Sequence, residues 1–288
     1  MHHFIEILTK PDNIPIVALV VLLIIYTLIA FRQGRRNDLA GMPAEAALKE
    51  KVYVWPYLCR VEFLCAIIIM LTLGIWSITI DAPLEEPSDP TKTPNPSKAP
   101  WYFLALQEML VYFDPWVAGV VLPGLIIAGL IAIPYIDINP KGKGYYTLKE
   151  RPFAITTFCF GFFVLWIVLM VVGTFLRGPG WNFFAPWQEW DPHRVVKLTN
   201  VNLSYKFGIR DDLSASVFGF ILVSGYYSLG PIFYILKRRT SEFLQAFGLV
   251  RYIITSFLFL TMLALPIKMM LRWVWNIKYV WVTPWFNI

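Results

Sequence analysis

The sequence predicts an all-α polytopic membrane protein of about six transmembrane helices, with a proline-rich outer-face loop that carries a short interfacial helix. Three observations lead there. Of 288 residues, 57% are hydrophobic and 15% charged, against roughly 45–50% and about 25% in a soluble domain. The apolar residues fall in long blocks, each near the roughly 17–25 residues that cross a bilayer as helix. Basic residues gather between alternate blocks, as the positive-inside bias requires of cytoplasmic loops.

The six expected spans cover residues 14–31, 58–80, 116–136, 153–176, 215–236 and 248–271. Span three carries Pro123 and span six carries Pro266, which membrane helices tolerate when neighbours resatisfy the freed carbonyls. Span one is expected to be a retained helix, because its basic residues follow the apolar run and no small-residue cleavage site comes after it. Residues 32–57 read as a polar connector in which AEAALKEK forms a short surface helix. Residues 137–152 read as a turn-rich loop.

The net charge of +6 is explained by its distribution. Arg32, Arg35, Arg36, Lys49 and Lys51 follow span one; Lys141, Lys143, Lys149 and Arg151 follow span three; Lys237, Arg238 and Arg239 follow span five. These loops are placed on the cytoplasmic side, and both termini and the loop after span two on the outer side. No nucleic-acid partner is called for. Lys268 and Arg272, near the outer end of span six, are expected to snorkel to water.

Between spans two and three lies DAPLEEPSDPTKTPNPSKAPWYFLALQEMLVYFD, residues 81–114. Prolines 83, 87, 90, 94, 96 and 100 fix φ and remove donors, which rules out regular helix. After Pro100 the pattern turns helical, with Trp101, Leu104, Glu108 and Val111 on one face. A carboxylate among aromatics at a lipid–water boundary suits a quinone head group. Desolvation of Glu108 would favour its protonated form and fit it to exchange protons near neutrality. The plainer alternative is a surface carboxylate facing water. Gln107 and Tyr102 add hydrogen-bonding groups, and Asp114 reads as a turn residue or cap. Residues 177–214 mix Trp181, Trp187, Trp190, Phe183 and Phe184 with prolines and charges; an interfacial aromatic belt or a docking surface for a partner subunit both fit.

The three cysteines, Cys59, Cys65 and Cys159, form no C-x-x-C or C-x-x-C-H, so no disulfide, zinc site or c-type haem attachment is expected. The three histidines, His2, His3 and His193, all lie outside the spans, so no b-type haem held between membrane helices is expected on this chain, and no metal.

The order of span two, proline-rich loop, PWYF, span three, basic loop and span four resembles the C-terminal half of cytochrome b and the separate subunit IV of b6f-type complexes. YVWPYLCRVEFL and LPGLIIAGLIAIPYID add to the likeness, which covers about residues 50–177. The resemblance implies a subunit of a quinol:cytochrome c (or other acceptor) oxidoreductase, not active alone. The quinol pocket would be lined by Pro100, Trp101, Tyr102 and Phe103, with Glu108 and Tyr102 as the catalytic groups. The family signature is Pro-Glu-Trp-Tyr, whereas Ala99 and Pro100 precede Trp101 here, so Glu108 stands in for the missing acid. Implied partners are a cytochrome b6-like four-helix subunit carrying b haems, a Rieske [2Fe–2S] protein and a cytochrome c-type subunit, in a dimeric complex of the bacterial cytoplasmic membrane. The chain divides on this basis into an extra helix and connector (1–57), the subunit IV-like core (58–177) and an aromatic loop with further helices (178–288). A quinone-site anchor for a peripheral dehydrogenase, or a non-catalytic structural subunit, are the alternatives.

Overall fold

A computed structural model describes residues 2–41, 52–81, 87, 89–91, 93–139, 145–194, 196 and 199–288. Among these residues there is no strand, only isolated bridges, and six helices are long and apolar enough to cross a membrane. The protein is an all-α polytopic membrane protein. The AEAALKEK helix, Glu85, Glu86, Lys141 and Lys143 lie outside the described residues.

Helix α1 is His2–Thr9, an element the hydropathy blocks did not single out. Helix α2 is Ile14–Ala40, nine residues longer than the apolar run, which corrects the connector expected from residue 32. Arg, Gln, Leu and Ala are good helix formers, so the helix continues out of its apolar stretch until Gly41 ends it with φ +59°. The extension is used. Asn37 Nδ2 donates to the Tyr146 carbonyl at 3.0 Å, and Asp38 Oδ2 accepts from the Leu148 and Lys149 amides. Gly34 lets Leu148 approach, since a Cβ there would stand 3.2 Å from its Cγ. After a kinked turn at Val54–Leu58, in which Trp55 is not helical, α3 runs Cys59–Thr79 with no buried residue. Residues 10–93 and 140–152 form one of two compact units.

The other unit holds residues 1–9, 94–139 and 153–288. Its short helix α4, Leu104–Met109, is led in by a tight turn at Trp101–Phe103. A wide turn at Val117–Val121 runs without a break into α5, Leu122–Ile136, and Pro123 falls at that junction. The fourth span, α6, is Pro152–Leu176 and includes two wide-turn stretches. A single helical turn at Leu203–Lys206 precedes helices α7 (Asp212–Lys237), α8 (Glu242–Phe247) and α9 (Leu249–Trp275). Asp211 caps α7 by accepting from the Ser214 amide and hydroxyl, and Ser241 caps α8.

Helix α4 packs on α6, α7 on α9, and α9 on α5. Gly173 of α6 makes the first contact close: a Cβ there would lie 3.2 Å from the Leu104 carbonyl oxygen. The spans themselves bury little, because a bilayer solvates their apolar side chains and the helices satisfy their own backbone groups. Packing around α4 and the end of α6 buries Leu104, Ala105, Met109, Tyr112, Leu169, Met170 and Phe184. That packing holds the residues described next.

Candidate functional site around Glu108 and the Trp101 turn

Pro100, its φ held at −51° by the ring, sits in extended backbone (ψ 146°) immediately before the Trp101–Phe103 turn. The turn brings three rings together in sequence. Trp101 and Tyr102 meet edge-to-face at 5.5 Å, and Tyr102 and Phe103 lie tilted at 4.8 Å. Tyr102 and Phe103 are each 51% exposed, so a polar hydroxyl and an apolar ring face outward together. Gln107 fixes the approach: its Oε1 accepts from the Ala99 amide at 2.8 Å and its Nε2 donates to the Ser97 carbonyl at 2.9 Å.

Glu108 lies on the opposite, inward side of α4 and is 0% exposed. The water-facing alternative is therefore excluded. Its carboxylate accepts four hydrogen bonds. Arg177 reaches both oxygens, Nη2 to Oε1 at 2.6 Å and Nε to Oε2 at 2.9 Å; Tyr112 Oη donates to Oε1 at 2.9 Å and Trp181 Nε1 to Oε2 at 3.1 Å. This is a two-pronged, charge-assisted pair. Four residues separate Glu108 from Tyr112, so one helical turn sets them side by side. The carboxylate is therefore shut off from solvent and already engaged with a cation.

Arg177 and Trp181 are functional candidates that sequence reasoning missed. Arg177 directly follows span four, where a basic residue reads as a loop charge. Its burial alone pulls the guanidinium pKa down, but the hydrogen bonds and charge of Glu108 outweigh this and hold it above its ordinary value. Burial, and then the Glu108 charge, push the Tyr112 hydroxyl well above the usual tyrosine range. Trp181 adopts φ +57° beside Gly180 at φ +64°. A left-handed non-glycine residue costs on the order of 1–2 kcal/mol and persists where surrounding bonds over-determine it. Those bonds are here: Arg177 Nη1 donates to the Trp181 carbonyl at 3.0 Å, and the indole reaches Glu108.

The proline-rich loop is tied to the same place. Asn95 Oδ1 accepts from the Gly180 amide, and Lys98 Nζ donates to the Thr174 carbonyl at 2.6 Å while lying 4.7 Å from the Trp190 ring. Phe184 is buried beneath Trp190 and Arg194, whereas Trp187 stands exposed. The aromatic loop thus has a packed half and an outward half.

Asp114 caps the next span by accepting from the Trp116 amide at 3.0 Å, as its position before Pro115 indicated. Lys268 departs from expectation. It is buried between the Phe113 and Tyr279 rings, and its Nζ has no hydrogen-bond partner among the described residues. The C-terminal segment covers it rather than leaving it to snorkel. Among the described residues no three His, Cys, Asp or Glu side chains gather as a metal-ligand set.

Comparison with known proteins places this site inside a family match. The model of the cytochrome b C-terminal/b6/petD family matches residues 87–187. The match takes in the Trp101 turn, Glu108, Arg177 and Trp181, but not α7 or α9. It starts later than the resemblance read from residue 50, and extends beyond residue 177 at the other end. The resemblance to this family is shown over those residues. Two curated relatives are similar over the same scale. A menaquinol:cytochrome c reductase cytochrome c subunit from Geobacillus thermodenitrificans is 29% identical over 105 residues, 35% of this chain and 40% of that one. Its counterpart from Bacillus subtilis (strain 168) is 27% identical over 108 residues, again 35% and 40%. The chain thus matches less than half the length of these curated relatives. No solved structure matches.

Proposed function

We propose that this chain is a subunit of a menaquinol:cytochrome c reductase or related b6f-type complex, and that it forms one wall of the outer-face quinol oxidation site. The observation that carries the reading is a coincidence of place. The family match falls on the stretch that carries an exposed Tyr102–Phe103 surface and, on the other side of the same helix, a buried Glu108–Arg177 pair. The quinol substrate is a planar, mostly apolar ring with two hydroxyls. Trp101 and Phe103 supply aromatic faces of matching shape, Pro100 and Gln107 hold the turn that presents them, and Tyr102 supplies a hydroxyl able to donate or accept.

Glu108 is the proposed proton acceptor, with a condition set by its surroundings. Both oxygens are occupied, so a proton reaches the carboxylate only when Arg177 withdraws from one of them. The proton step is then coupled to movement of the Gly180–Trp181 loop, because Arg177 holds the Trp181 carbonyl as well. Tyr102 is the proposed first contact for the quinol hydroxyl.

The redox groups of such a reaction, b haems and a [2Fe–2S] cluster, are assigned to partners: a cytochrome b6-like four-helix subunit and a Rieske protein, with a cytochrome c-type acceptor, in a dimeric complex. The site is placed on the outer side of a bacterial cytoplasmic membrane. The test is affinity purification through a tag on this chain. The expected result is co-purification of b-haem absorbance and a [2Fe–2S] electron-paramagnetic signal, with menaquinol-dependent cytochrome c reduction. Recovery of the chain with a molybdenum or multihaem dehydrogenase, and without a [2Fe–2S] protein, would overturn the assignment.

A further inference from the structure

Helix α7 lies outside the family match, yet each of its ends carries a cavity lined by a tyrosine and two cations. At the Lys237 end, a cavity of about 440 Å³ is lined by Tyr234, Ile235, Arg238, Arg239 and Gln245. We propose that this cavity binds the headgroup of an anionic phospholipid. It does not depend on the quinol-site reading.

Four observations support it. First, the charges are unspent: among the described residues neither guanidinium has a carboxylate partner, and Glu242, on the same turn, pairs with neither. Second, the turn that presents them is fixed. Gln245 Nε2 donates to the Arg238 carbonyl at 3.1 Å and the Arg239 carbonyl at 3.5 Å, and Ser241 N bonds back to the Lys237 carbonyl at 3.1 Å. The Arg238 guanidinium stands 5.7 Å from the Tyr234 ring centroid, so it is held beside a second hydrogen-bonding group. A planar guanidinium pair suits phosphate oxygens.

Third, the level is right. The 26 residues of α7 extend about 39 Å at 1.5 Å per residue, enough to cross a hydrocarbon core of about 30 Å and enter the headgroup layer at both ends. Ile235 and Leu236, just inside the arginines, are exposed and apolar and offer a wall for acyl chains. Fourth, the opposite end repeats the chemistry, with a cavity of about 490 Å³ lined by Val201, Tyr205, Lys206 and Arg210. There Lys206 is already bonded to the Trp275 carbonyl, so the Arg238 end is the stronger site. Basic pockets at the cytoplasmic ends of membrane helices are where anionic headgroups bind, and the charge distribution puts this end on that side.

The test uses the intact complex in detergent, titrated with phosphatidylglycerol, phosphatidylcholine or inorganic phosphate. Bound lipid is read by native mass spectrometry and stabilisation by thermal melting. Wild type is expected to retain phosphatidylglycerol over phosphatidylcholine, and R238Q/R239Q to need about 30-fold more for half-saturation. R238K/R239K should keep part of the effect, and R35Q/R36Q, which removes charge elsewhere, should match wild type. Unchanged lipid retention in R238Q/R239Q would overturn the proposal. So would equal stabilisation by inorganic phosphate, which points to a free anion. Release of a protein subunit from R238Q/R239Q, with no lipid dependence in wild type, would assign the cavity to a partner chain instead.

Discussion

Replacing Arg177 by methionine leaves the Glu108 carboxylate buried with two of its four hydrogen bonds gone. It also removes the Arg177 bond that holds the Trp181 carbonyl in its left-handed loop. Breaking a buried pair from one side costs about 3–5 kcal/mol, because the remaining charge is uncompensated. Glu108→Met strands the guanidinium in the same way. Removing both charges together leaves Tyr112 and Trp181 without their acceptor but buries no charge, so E108M/R177M is expected to lie within about 1–2 kcal/mol of wild type. The coupling energy is then on the order of 3 kcal/mol or more. Thermal melting of the purified complex at a fixed scan rate measures it. Each single variant should fall by on the order of 10 °C, and the double variant should recover most of the loss. Two small losses that add in the double variant would show that the pair is not a coupled buried unit.

Four further outcomes follow from the same geometry. The raised Tyr112 pKa means the folded state holds this proton more tightly; that stability is fully present below about pH 10, the unfolded value, and is lost as pH rises through the folded value, so Tyr112→Phe should flatten the alkaline limb of a stability–pH curve. Gly219→Ala would place a Cβ 2.6 Å from the Trp281 Cα, and because backbone must move, the C-terminal segment should become susceptible to limited proteolysis while the wild type resists. Lys268→Met removes a buried unpartnered amine and should raise stability by about 1–3 kcal/mol in a melting assay; a loss would reveal a carboxylate supplied by a partner. Glu108→Gln, followed by menaquinol oxidation against pH, should lower kcat and shift the profile if Glu108 takes the proton, and should lower only the melting temperature if it is solely a lock.

The membrane architecture was legible because hydropathy blocks and loop charges are local signals. All six spans were found; α3 starts and stops one residue inside its expected limits, and α5 stops at the expected residue 136. The continuation of α2 to Ala40 was missed because hydropathy marks where a helix leaves lipid, not where it stops. The aromatic turn was legible from Pro100 and the PWYF run. The environment of Glu108 was not, because Arg177 lies 69 residues away and meets it only when α4 packs on the end of α6. Nothing local distinguishes Arg177 from a solvated loop charge, and its one sequence cue is that it directly follows a span. Lys268 was misread for a related reason: snorkelling assumes open water at the helix end, whereas Tyr279 of the C-terminal segment folds over that place.

The central claim, that quinol meets this chain at the Trp101–Phe103 turn, is tested most directly by photolabelling. The intact complex is illuminated with an azido-menaquinone analogue, and the cross-linked peptides are mapped. The account predicts label on the peptide holding Trp101, Tyr102 and Phe103, competed away by menaquinol and lost in W101A/Y102A with the complex still assembled. Label confined to other subunits, or to α7 and α9 of this chain, would contradict it.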